Sequence, residues 1–146
     1  MSTTRTAKTH WEGTLFEGAG QVTLESSGLG TYDVSWAARA EEPNGKTSPE
    51  ELIAAAHSSC FAMQLSNVVA LAGGTPQSLD VTAAVSLGKD PEGGFKITGI
   101  TLSVEGEVDG IDDAAFQKAA EQAKAGCPVS KALTGVEITL EASLAG

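Results

Sequence analysis

Two cysteines, Cys60 and Cys127, and two arginines, Arg5 and Arg39, are the side chains best able to do chemistry in this 146-residue chain. Cys60 lies among Ala56, Ser59, Phe61 and Met63, a setting in which a thiol can simply fill space as a small apolar group. Cys127 precedes a proline in Gly126-Cys-Pro-Val-Ser-Lys131. That placement suggests a helix start, where unpaired backbone N–H groups and the helix dipole favour a thiolate. Two cysteines in separate elements can meet within the Cα separation of about 4.4–6.8 Å that a disulfide needs. The spacing leaves a redox couple and inert burial both open.

Cys-Pro-Val-Ser also resembles a monothiol form of the thioredoxin motif, but the strand and helix that precede that motif are missing. A zinc site built from His10, His57, Cys60 and Cys127 lacks any closely spaced ligand pair. The sequence therefore calls for no metal and no other cofactor.

A peroxide-reducing thiol needs a cation to favour the thiolate and to stabilise the alkoxide that leaves when the O–O bond breaks. Arg5 falls in a polar tail, whereas Arg39 ends the semi-apolar run Tyr32 to Ala38, read as a strand. An arginine at a strand end can also simply snorkel to water. A buried guanidinium needs an anionic partner, and Glu50 and Glu51 open the helix that bears Cys60. At about 100° per residue, Glu50 and Cys60 differ by roughly 80° and nearly three turns. Glu50 is thus a residue to orient an arginine, not a contact of the thiol. His57 lies one turn before Cys60 and reads as a base for the thiol or as a packed or capping side chain.

The elements that must hold these residues are short and punctuated by glycine and proline. Lys8 to Gly13 and Gly20 to Ser26 form an expected hairpin about a Gly-rich turn, with Tyr32 to Ala38 as a third strand. Ser48-Pro-Glu-Glu51 combines an N-cap residue, proline at the first helical position and acids in the first turn. The helix it opens runs to Gly73-Gly74 and is apolar nearly all round, so it is expected to be buried. Leu79 to Leu87 and Phe95 to Val108 alternate across an Asp90 to Gly94 turn. Asp112-Asp113 caps a helix through Ala125, and Val136 to Leu144 closes the chain as a strand. The order βββ-α-ββ-α-β is α+β with mainly antiparallel pairing. One domain spanning residues 1–146 is expected, with residues 1–7 as a frayed polar tail. A chain this small would struggle to cover an apolar helix alone, and a homodimer around two such helices is the economical solution.

Composition narrows the function further. A formal net charge of −10, with nine basic residues scattered singly, opposes binding to nucleic acid or to an anionic membrane. No apolar run approaches the ~18–20 residues of a bilayer crossing, and the polar N-terminus has no signal-peptide pattern. A cytoplasmic location follows as the expectation.

Two stretches, Thr47-Ser-Pro-Glu-Glu-Leu-Ile-Ala-Ala-Ala-His-Ser-Ser-Cys-Phe-Ala-Met63 and Ala125-Gly-Cys-Pro-Val-Ser-Lys-Ala-Leu133, resemble the signatures of the OsmC/Ohr family of hydroperoxide reductases. The resemblance extends from His10-Trp-Glu-Gly13 to Glu137-Ile-Thr-Leu140. It implies sheets wrapped around a long central helix in an intertwined homodimer, with active sites at the subunit interface. By motif, Cys60 is the peroxidatic cysteine, Cys127 the resolving cysteine, Glu50 the carboxylate and Arg39 its arginine. The hairpin Gly18-Ala-Gly-Gln21 has no arginine, and the second motif reads Cys-Pro-Val where the Ohr branch has Cys-Pro-Tyr; both favour the OsmC branch. The stretch from Arg39 to Glu50 is about one residue longer than the family pattern, which bears on the reach of Arg39.

The implied reaction is peroxidatic. Cys60 takes an oxygen from an organic hydroperoxide, a Cys60–Cys127 disulfide forms, and an external dithiol of lipoyl type restores the thiols. The alternatives are a non-enzymatic thiol redox sensor and a small-molecule binding protein with inert cysteines.

Overall fold

The computed structural model describes residues 1–145. The chain divides into two compact units, Met1–Leu52 and the residues from Ile53 onward.

In the first unit, strands β1 (Lys8–Glu12), β2 (Ala19–Thr23) and β3 (Thr31–Val34) form an antiparallel sheet in the order β1-β2-β3. The Trp11 ring lies over Gly20, where an added Cβ would sit 2.7 Å from it, so the hairpin needs glycine there. The expected third strand is cut short at Val34. Ser35 is an N-cap whose Oγ accepts from the Ala38 N–H at 3.2 Å, and helix α1 (Trp36–Ala40) follows. The Trp-Ala-Ala-Arg-Ala run favours helix once a cap starts it. Arg39 therefore leaves a helical turn, not a strand end.

Helix α2 (Pro49–Leu71) begins where expected, with Ser48 Oγ accepting from the Glu51 N–H at 3.1 Å. Its buried residues His57, Phe61, Leu65 and Val69 recur every four positions, which makes one stripe. The opposite side exposes Ala55, Ala56, Ser59, Met63, Asn67 and Ala70. The expectation of burial all round is thus corrected: within one chain, α2 covers one face and presents the other. At 23 residues α2 also has the length and apolar composition of a bilayer crossing, contrary to the reading that no segment does. Its buried stripe nevertheless serves a protein core.

That core belongs to the second unit. Strands β4 (Thr75–Lys89) and β5 (Phe95–Asp109) form a long antiparallel hairpin, and β6 (Ile138–Leu144) pairs parallel to β5. A parallel neighbour needs a crossover, here helices α3 (Asp113–Gly126) and α4 (Pro128–Ala132). Asp112 caps α3 by accepting from the Ala115 N–H at 2.8 Å. Phe116, Ala119, Ala120 and Ala123 form the buried stripe of α3 and meet Phe61, Leu65 and Val69 of α2 and Leu102 and Val104 of β5 in one apolar cluster. Gly106 lets β5 approach the Phe116 ring, which an added Cβ would meet at 2.8 Å. The fold is α+β with mainly antiparallel pairing, as expected; α4 is the helix start read at Cys127-Pro128, and α1 is an addition to the expected element order.

Candidate functional site

Cys60 projects from α2, four residues before Gln64 and beside the buried Phe61. Cys127 occupies the joint between α3 and α4. Its N–H donates to the Ala123 carbonyl at 2.9 Å, ending α3. Its extended ψ of 124° then lets Pro128 start the next turn, a position that needs no N–H. The joint directs Cys127 inward, and its sulfur lies 2.8 Å from the Cys60 sulfur. Both cysteines are free thiols; Cys60 is partly accessible, whereas Cys127 is completely buried.

The surroundings treat the two sulfurs differently. Burial, and then the hydrogen bond with Cys127, push the Cys60 thiol above its ordinary pKa, opposed in part by a backbone contact from Val129. Burial also raises Cys127, but it is outweighed by its interactions with Cys60 and with the polar groups of Ser130 and Val129. The net direction for Cys127 is downward.

His57 is fully buried, and its Nε2 is 2.7 Å from Ser130 Oγ. Burial lowers its pKa, so the ring is held neutral. Of the two sequence readings, packing describes His57: its polar contact is Ser130, not Cys60. Ser130 was not singled out from the sequence. Its position three residues after Cys127 in a helical turn was the available signal.

In the first unit, Arg39 and Glu50 form a bidentate pair. Arg39 Nε donates to the two Glu50 oxygens at 2.9 and 3.2 Å, and Nη2 donates to Oε2 at 2.9 Å. Glu50 is 7% exposed, so its charge depends on this partner. The guanidinium lies 5.9 Å from the centroid of the Trp36 ring, and Phe16 meets Trp36 edge-on at 5.7 Å. Trp36, also absent from the sequence-based set, thus helps define the Arg39 conformation. A cleft of about 550 Å³ beside this pair is lined by Trp11, Leu15, Val22, Trp36, Arg39 and Leu52 among others. Among the described residues, no three His, Cys, Asp or Glu side chains gather as a metal site.

The structure thus brings together Cys60 with Cys127 in the second unit and Arg39 with Glu50 in the first. The cysteine pair can interconvert dithiol and disulfide with little movement. The Arg39–Glu50 pair offers a rigid, oriented cation.

Known proteins are similar to this chain. The chain is 46% identical over 144 residues to Peroxiredoxin OsmC of Escherichia coli, covering 99% of each. It is 38% identical over 105 residues to organic hydroperoxide resistance protein OhrA of Bacillus subtilis, covering 70% of this chain and 72% of that one. The crystal structure of OhrB of Bacillus subtilis matches with a TM-score of 0.75 at 32% identity, covering 94% of this chain and 98% of that chain. An OsmC structure from Legionella pneumophila matches with a TM-score of 0.75 at 27% identity, covering 97% of each. The model of the OsmC-like protein family matches residues 42–141, a span that includes both cysteines and Glu50, and the chain belongs to that family.

Proposed function

We propose that this protein is a two-cysteine peroxidase that reduces organic hydroperoxides. The observation that carries the reading is the 2.8 Å separation of two free thiols of unequal accessibility. A substrate arriving from solvent meets Cys60, and the buried Cys127 is already within reach of the oxidised product. The names of the relatives, a peroxiredoxin and hydroperoxide resistance proteins, support the same chemistry.

In the first step the Cys60 thiolate attacks the terminal peroxide oxygen; the O–O bond breaks and the alkoxide leaves as an alcohol after taking a proton. Cys60 becomes a sulfenic acid. Cys127 then attacks that sulfur, releasing hydroxide, which is protonated to water. The sum is two thiols and ROOH giving a disulfide, ROH and water. A dithiol reductant, of lipoyl type by the family resemblance, restores the thiols by exchange.

Arg39 has a defined task in this scheme. Burial raises the pKa of Cys60, so a cation is required to make it the attacking thiolate. The Arg39 guanidinium, held by Glu50, is assigned that task and the stabilisation of the leaving alkoxide. We assign the two units to one functional domain that works as a homodimer. The open face of α2, with Ala56, Ser59, Met63 and Ala70 exposed, supports a helix-on-helix interface of small side chains and one methionine. The working location is the cytoplasm, where thiols are kept reduced.

The direct test mixes reduced protein with cumene hydroperoxide and follows peroxide loss and intact mass, with Cys60→Ser as control. A Cys60-dependent loss of two hydrogens per peroxide consumed is expected. Unreactive thiols would overturn the proposal in favour of a binding protein.

A further inference from the structure

The resolving sulfur does not stand alone in its pocket. Ser130 is 5% exposed, and His57 and Cys127 are not exposed at all. The Ser130 Oγ is 2.7 Å from His57 Nε2; Ser130 stands in the first turn of α4, one helical turn after the capping residue Cys127, and its polar groups favour the Cys127 thiolate. A hydroxyl has one proton to donate and lone pairs with which to accept. If that proton points at the Cys127 sulfur, Ser130 must accept from His57.

The other ring nitrogen shows which way the chain runs. Among the described residues, His57 Nδ1 is buried without a hydrogen-bond partner. Orphaned buried N–H groups are rare, and under-satisfied acceptors are somewhat less so. The unpartnered Nδ1 is therefore the bare nitrogen, and Nε2 bears the proton that it donates to Ser130. All three donors and acceptors then point one way, from imidazole to hydroxyl to sulfur.

We propose that His57 and Ser130 form a directed hydrogen-bond chain that holds Cys127 as the thiolate for attack on the Cys60 sulfenic acid. Ser130 is then a catalytic residue, touching the reacting sulfur, and His57 a positioning residue that acts through it. No proton need pass along the chain: the imidazole stays neutral, the Cys127 sulfur supplies the electron pair for the new S–S bond, and hydroxide leaves Cys60. The inference rests on the two-cysteine reading above and adds the device that times its second step.

The other titratable groups near this chain do not replace it. From α2, Cys60 is the acceptor of the coming bond. From α3, Lys124 is turned to Glu121 at 3.3 Å and to the Ile138 carbonyl at 3.4 Å. From α4, Lys131 is exposed. From β5 and β6, Leu102, Val104, Ile138 and Leu140 face this core, all apolar.

The test separates the two chemical steps. Reduced protein is mixed rapidly with cumene hydroperoxide across a pH series; sulfenic acid is trapped with dimedone, and disulfide is followed by intact mass. In Ser130→Ala, sulfenic acid should persist at least tenfold longer. The pH midpoint of resolution should rise by about one unit, the size expected when a hydrogen bond to a charged group is lost. Ser130→Thr, which keeps the hydroxyl, should restore the parent profile. His57→Phe should shift the midpoint in the same direction, and His57→Gln, whose amide can donate, should reverse most of that shift. Parent-like resolution in both Ser130→Ala and His57→Phe would overturn the inference while leaving the peroxidase reading intact. Absence of any sulfenic acid in the parent would instead remove the peroxidase reading. Should the variants not fold, nitrogen NMR of His57 in the parent decides: the Nε2–H tautomer is required, and an Nδ1–H ring would overturn the chain.

Discussion

The sulfurs of Cys60 and Cys127 are 2.8 Å apart although 67 residues separate them in sequence. One projects from the middle of α2, the other from the joint between α3 and α4. The contact depends on the Phe61, Leu65 and Ala123 packing that holds these elements together. A bond between the sulfurs then needs a shift of under about 1 Å to reach the length of a disulfide.

Unequal accessibility separates the expected behaviour of the two cysteine variants. Cys60→Ser should abolish peroxide consumption. Cys127→Ser should retain attack but accumulate sulfenic acid or over-oxidised Cys60, visible as added oxygen in intact mass. Full multiple-turnover activity in Cys127→Ser would exclude its resolving role.

The three short bonds between Arg39 and Glu50 use both Nε and Nη2. A lysine cannot reproduce that fork. Both Arg39→Ala and Arg39→Lys should slow thiol oxidation by at least about tenfold, the lower range for loss of a group that stabilises developing charge. Glu50→Gln should have a similar but smaller effect, since it weakens orientation but leaves the cation. Stopped-flow rates of peroxide loss check all three; unchanged thiol reactivity in Arg39→Ala would remove the electrostatic role.

The exposed side of α2 carries the expectation of a dimer. Met63 is 72% exposed in the single chain, so a charge there should cost little within one copy. In a helix-on-helix interface it would be desolvated without a partner, at several kcal/mol. Met63→Glu should therefore shift the protein from dimer to monomer in sedimentation velocity at micromolar concentration. A parent that sediments as a monomer would exclude the dimer.

Neutral, buried His57 should leave a mark on acid stability. Its folded pKa lies below the ordinary 6.5 because burial disfavours the charged ring. Below about pH 6.5 the unfolded chain binds a proton that the folded chain refuses. Its stabilising contribution is complete above that pH and is lost on acidification by up to about 1.4 kcal/mol per pH unit, until the folded pKa is reached. Stability of the parent to urea should thus fall as the pH drops below about 6.5, and His57→Gln should remove that slope.

Much of this molecule was legible in its residues because the signals are local. The Ser48-Pro49 start of α2, the Asp112 cap of α3, the proline after Cys127 and the alternation of β4 and β5 each act within a few positions, where capping, proline geometry and side-chain period decide the backbone. The two cysteine motifs and Glu50 were readable for the same reason, as contiguous strings. Tertiary structure decided what depends on distance. Tyr32 to Ala38 read as a strand until the Ser35 cap divided it. The hydropathy of α2 did not reveal which of its sides would meet Phe116 and Leu102. Neither the parallel pairing of β6 nor the 2.8 Å meeting of Cys60 with Cys127 could be read from spacing. Nor could the hydrogen bond between His57 and Ser130. A side chain's type is written in the chain, but its partners are chosen by the packing of elements far apart along it, and reactivity depends on those partners.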